Sequence, residues 1–187
     1  EANGSGIDNT IGMLTLSRWA YTSRGGQTVA HEIGHCFQYQ VHCDNNNWNG
    51  WMYTWPDSPN GNVYWEMCAQ WQAYKYYPAM QFDNEWLTGT LNGLHKNPLC
   101  EELRYNNYFL NDFFCHKQGM GFVGRLWNES VNPEDPLRTY MRLTTDASMS
   151  SADKLDRLND DMWEYGARMT TFDMDPIRPY GAQTIGK

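Results

Sequence analysis

The chain has 187 residues, with fourteen Lys and Arg against twenty-two Asp and Glu, for a net charge of −8. Hydrophobic residues at 41% and charged residues at 19% suit one folded domain over 1–187 and exclude a disordered chain. The acidic balance, with no basic stripe, excludes nucleic acid and anionic membrane as partners. No apolar run approaches the roughly 20 residues of a membrane span.

The opening residues, Glu1-Ala2-Asn3-Gly4-Ser5-Gly6, lack the charged start and apolar stretch of a signal peptide. They read as the interior of something longer, a fragment whose targeting segment has been removed. Ile11 to Ser17 alternates loosely and reads as a strand. Ser23-Arg24-Gly25-Gly26 breaks the chain, and a helix is expected from about 27 to 41. Its Val29, Ile33, Cys36 and Phe37 fall at helical spacing and form an apolar back, while His31, His35 and Gln38 lie on another face.

Between His42 and Asn62 the Asn, Gly and Pro residues predict a long loop carrying Trp48, Trp51 and Trp55. Loops of this length in a compact domain are usually functional. A helix over Val63–Tyr76 stops before Pro78. Further helices are expected over Glu101–Lys117 and Phe122–Trp127, and from Pro136, capped by Asp135, through Arg142. A last one starts near Ser150 or Ser151 and carries Leu155, Leu158, Met162, Tyr165 and Met169 inward. The chain after Thr171 reads as irregular. The expected fold is mainly α with a small β portion (α+β). Its parts are a strand and helix over 1–41, a Trp- and Asn-rich loop over 42–62, and a helical part over 63–187.

Five cysteines are present, Cys36, Cys43, Cys68, Cys100 and Cys115. The odd number leaves at least one thiol unpaired, and no C-x-x-C occurs. Buried free thiols are the expectation, with one or two disulfides an option in a secreted chain. Nine Trp and twelve Tyr supply either apolar bulk or a cleft that stacks on sugars and peptide rings.

The residues His31-Glu32-Ile33-Gly34-His35 match H-E-x-x-H inside a predicted helix. Four residues at a ~1.5 Å rise amount to about 6 Å and a little over one turn, so the two imidazoles can converge on one ion. Neutral His nitrogen is a good zinc ligand, and a catalytic zinc takes three protein ligands plus water. Glu32 points beside the metal and suits a base for a bound water whose pKa zinc lowers towards ~7. The apolar back counts against a surface helix with two solvated histidines, and Gly34 permits close approach by another element. Candidates for the third ligand are Glu66, His42 and Asp44.

The segment from Thr28 to His35 resembles the active helix of zincin metallopeptidases. In their gluzincin branch the third ligand is a Glu on a following helix, often as E-x-x-A, and Glu66-Met67-Cys68-Ala69 fits that pattern. The metzincin pattern asks for Gly at 38 and His at 41, where this chain has Gln38 and Val41. The resemblance therefore favours Glu66 over His42. His35 to Gln40 is similar to the continuation in enhancin-like, mucin-degrading gluzincins and in secreted bacterial families. Segments within 121–165 are similar to basic-secretory-type peptidases. The resemblance implies a secreted or cell-surface bacterial enzyme that uses Zn2+ on peptide or glycoprotein substrates, with an edge strand, for which Ile11 to Ser17 could serve, aligning the substrate.

Peptide hydrolysis also needs a group that holds the oxyanion and protonates the leaving amine. Tyr105, Tyr108, His95 and His116 are candidates. Tyr105 is preferred because it sits early in the helix expected after Glu101. Competing readings are an inactive zincin-like module that binds glycans or peptides through its Trp-rich loop, and a structural zinc site built from His31, His35, His42 and Cys43.

Overall fold

The computed structural model describes residues 2–8, 10–22, 26–45, 53 and 63–185. The fold is mainly helical with one small antiparallel sheet, as expected. Strands β1 (Ala2–Ile7) and β2 (Ile11–Leu16) form a hairpin with Gly4 opposite Leu14. A short helix α1 (Arg18–Thr22) leads to α2 (Gln27–Asn45) and, beyond the undescribed stretch, to α3 (Val63–Tyr76). A 3-10 turn at Pro78–Phe82 precedes α4 (Glu85–Gly93), and another at Glu101–Leu103 precedes α5 (Phe109–Gln118). The chain continues through α6 (Phe122–Asn128), α7 (Pro136–Thr144), α8 (Ser151–Met169) and α9 (Arg178–Thr184). Among the described residues no helix is long and apolar enough to cross a membrane.

The core lies on one side of α3. Val63, Tyr64, Met67, Cys68, Trp71 and Tyr74 bury that helix almost all round, as suits a central helix. Against it pack Phe109, Leu110, Phe113 and Phe114 of α5, Phe122 and Leu126 of α6, Tyr140 of α7 and Tyr165 of α8. Ring pairs tie these elements together. Tyr64 stacks on Trp127 at 5.4 Å, and Phe114 on Tyr140 at 4.7 Å. Under this layer the fully buried Asp112 accepts from Trp71 Nε1 at 3.0 Å and also from Lys75 and Gln81. One carboxylate thereby links α3, the Pro78–Phe82 turn and α5.

Helix α2 lies on the other side of α3 and under the hairpin. Gly34 makes the crossing with α3 close, because a Cβ there would meet Gln72 Oε1 at 2.4 Å and Ala69 Cα at 3.1 Å. Several sequence expectations need correction. The apolar back of α2 faces outward, with Ile33 38% and Phe37 59% exposed, while the polar face is buried. Helix α2 also runs through Asn45, so His42, Cys43 and Asp44 are helical and not loop. The rest of the expected Trp-rich loop lies outside the described residues apart from Tyr53. The helix expected over Glu101–Lys117 is a 3-10 turn followed by α5, which leaves Tyr105 in the turn between them. Leu155 is exposed, although Leu158, Tyr165 and Met169 point inward as expected. Strand β1 and helices α1, α4 and α9 lie where the sequence predicts no element. None of the five cysteines forms a disulfide, and Cys68 and Cys115 are buried while Cys36, Cys43 and Cys100 are partly exposed.

Candidate metal centre

The first turn of α3 brings Glu66 up to the histidines of α2. His31 Nε2 lies 3.0 Å from Glu66 Oε2, His35 Nε2 lies 3.2 Å from the same oxygen, and the two Nε2 atoms are 3.1 Å apart. The rings meet edge to face at 4.8 Å. Both histidines are buried and Glu66 is half-buried. Among the described residues these three form the group that could hold a metal ion.

The second nitrogen of each ring fixes its tautomer. His31 Nδ1 is 3.0 Å from Gln70 Oε1, and His35 Nδ1 is 2.9 Å from Gln38 Oε1. Gln70 Oε1 also accepts from Gln27 Nε2 at 2.7 Å, and Gln38 Nε2 donates to the Trp65 carbonyl at 3.0 Å. Each amide is thereby oriented with its oxygen towards a histidine, so each Nδ1 carries the hydrogen and each Nε2 presents a lone pair. Two lone pairs and a carboxylate oxygen converging at this range call for a cation between them. Three ligands about 2.0–2.2 Å from a tetrahedral ion sit roughly 3.3 Å apart, so the donor set fits a small divalent metal and leaves one position open. Without metal a proton must serve. Burial lowers the pKa of His35, but its hydrogen bond to Glu66 and the charge of that carboxylate outweigh burial and raise it. Burial likewise opposes ionisation of Glu66, and its bonds to His31 and His35 overcome this and hold it well below the carboxylate range.

Glu32 lies beside the group and outside it. Its Oε2 accepts the Gly4 backbone N–H of β1 at 2.7 Å, and its negative charge acts on His35 and Tyr105. No side chain fits at Gly4, since a Cβ would meet the Glu32 carbonyl oxygen at 2.0 Å and His35 Cβ at 2.8 Å. The strand with a main-chain contact to Glu32 is thus β1.

Tyr105 reaches the same place from the turn before α5. Its ring lies 6.1 Å from that of His31 and stacks on Trp86 of α4 at 5.3 Å. Burial, the charge of Glu66 and a hydrogen bond to it push the Tyr105 hydroxyl up to about 12, against the opposing pull of Arg104. The other candidates lie elsewhere. Tyr108 is buried in the core and donates to the Gln81 carbonyl. His116 pairs with Asp175 at 2.9 Å, and His95 is exposed on the turn after α4. Of the alternative metal ligands, His42 packs against Tyr39 at 5.6 Å, and exposed Asp44 accepts from Gln40 at 2.8 Å. Neither belongs to the group. Gln70 and Gln27 carried no signal in the sequence beyond the position of Gln70, four residues after Glu66 and so on the same helix face.

A family model described as a family of unknown function, DUF6055, matches residues 1–187. The chain belongs to that family. No curated protein and no solved structure matches this DUF6055 chain. Its functional reading therefore rests on the site itself.

Proposed function

We propose that this chain is a zinc-dependent peptidase, secreted or at the cell surface, that hydrolyses peptide bonds in proteins or glycoproteins. The observation that supports this most is the convergence of His31 Nε2, His35 Nε2 and Glu66 Oε2 with Glu32 beside them and outside the group. Zinc held by those three residues would supply the Lewis acidity that makes water nucleophilic near neutral pH. Gly4 holds one oxygen of Glu32 and leaves the other to accept a proton from the attacking water. The water oxygen bonds to the peptide carbonyl carbon, the C–N bond breaks, and Glu32 returns the proton to the leaving amine. Tyr105 keeps its own proton at neutral pH and donates a hydrogen bond to the oxygen on which charge develops.

A structural zinc site has less support, because neither His42 nor Cys43 joins the three-residue group. The test is Glu32→Gln on the metal-loaded protein, with quenched fluorescent peptides and a glycoprotein as substrates. Metal content should stay at the wild-type level and hydrolysis should fall by at least about a hundredfold. Undiminished hydrolysis would remove Glu32 from the mechanism.

A further inference from the structure

Among the described residues, Arg104 is a basic side chain beside this site that the proposed reaction does not use. The Arg104 guanidinium carbon lies 5.3 Å from the centroid of the Tyr105 ring, whose own distance to the His31 ring is 6.1 Å. The nearby charged groups at the metal centre are the carboxylates of Glu32 and Glu66, in a chain of net charge −8. Among the described residues Arg104 makes one ion pair, from Nη1 to Glu101 Oε1 at 3.1 Å, and both side chains are partly open to solvent at 29% and 45%. An ion pair so exposed is weak and readily exchanged. By contrast, Arg142 is held by both oxygens of Glu134 and by the Glu129 carbonyl. Arg104 therefore keeps most of its five-donor fork available, in the planar form suited to a carboxylate.

We propose that Arg104 selects substrates bearing a carboxylate within three residues of the cleaved bond, either an acidic side chain or the free C-terminus. An extended peptide advances about 3.3 Å per residue, so a carbonyl placed at His31 puts such a carboxylate within reach of the guanidinium. Trp86, stacked on the Tyr105 ring at 5.3 Å, adds apolar surface next to that ring. The assignment rests on the peptidase reading for its substrate class, but it makes its own claim about binding.

The test separates the two. Metal-loaded Glu32→Gln protein is titrated calorimetrically with matched peptides, Asp against Asn at each position near the centre, and free acid against C-terminal amide. A carboxylate should tighten binding by about tenfold or more, as a charge-assisted hydrogen bond does. The two peptide series identify which source of carboxylate is read. In the background carrying Arg104→Gln as well, the preference should shrink to about twofold or less, with metal content and circular dichroism unchanged. In the active protein, the ratio of kcat/KM values for each pair should follow the binding ratio. Equal binding of charged and neutral peptides, or a preference that survives Arg104→Gln, overturns the assignment, and so does failure to bind any of the peptides. Hydrolysis without charge preference sinks the Arg104 assignment alone. A preference lost with Arg104 in a chain that hydrolyses none of the peptides sinks the peptidase reading and leaves the assignment standing.

Discussion

Replacing Gln70 by Leu tests whether the hydrogen bond behind His31 sets the metal affinity. The change keeps roughly the same volume at a buried position of α3 and removes the oxygen that holds His31 Nδ1 at 3.0 Å and Gln27 Nε2 at 2.7 Å. Two buried donors are left without that acceptor, at about 1–3 kcal/mol each. Part of this cost falls on folding. The part that bears on function is the freedom of the His31 ring to rotate or change tautomer and withdraw its Nε2 lone pair. Loss of such an outer partner lowers metal affinity roughly 10- to 100-fold, or about 1.4–2.7 kcal/mol. Competition against a chelator of known zinc affinity at fixed pH measures this. Gln70→Glu is the control, because a carboxylate oxygen can still accept from both donors and affinity should stay near wild type or rise. If Gln70→Leu is folded and binds zinc within about twofold of wild type, Gln70 does not hold His31 in its metal-binding form.

Tyr105→Phe should lower kcat by about 100- to 1,000-fold, with KM and metal content nearly unchanged, as steady-state kinetics would show. Asp112→Ala removes the acceptor shared by buried Trp71 and Gln81 and by the partly buried Lys75, and should destabilise the fold by about 3–5 kcal/mol and drop Tm by on the order of 10 °C in a thermal melt. Zinc affinity should fall as pH drops through the raised pKa of His35, starting above its ordinary value of 6.5, because the metal needs the neutral ring. The metal-free protein shows the opposite sign at this residue, since stabilisation from charged His35 is complete below the unfolded pKa and is lost as pH rises through the folded one. Chelator competition and urea melts across the pH range separate the two effects.

The sequence made the centre of the site readable for a geometric reason. Residues four apart on a helix share a face whatever packs against it, so His31 and His35 had to lie together. Glu66 was identifiable as a helix carboxylate after the motif, although only packing could bring α3 against α2. The misreading of α2 is instructive. Ile33 and Phe37 have core spacing, yet the buried residues are Gln27, His31, Gly34, His35, Gln38 and His42. A run of polar side chains can be buried when its members bond with one another and with α3, and hydrophobic periodicity cannot foresee that. Strand β1 was hidden because Gly4, Ser5 and Gly6 have poor strand propensity, while close packing on α2 needs a glycine at position 4. Helix α4 has Thr88-Gly89-Thr90 in its middle and owes its start to Asn84, which accepts from the Trp86 and Leu87 amides at 2.8 and 3.1 Å. Tyr105 lies at the site although the helix expected to carry it begins only at Phe109. Proximity in the fold placed it there, and spacing along the chain did not.

The most direct measurement is the metal content of protein purified without added zinc and then reconstituted, with wild type compared with Glu66→Ala by elemental analysis after gel filtration. The convergence of two imidazoles and one carboxylate oxygen predicts one tightly held zinc per wild-type chain and little or none in the variant. A wild-type chain that holds no zinc, or a Glu66→Ala chain that holds it as tightly as wild type, would contradict the account.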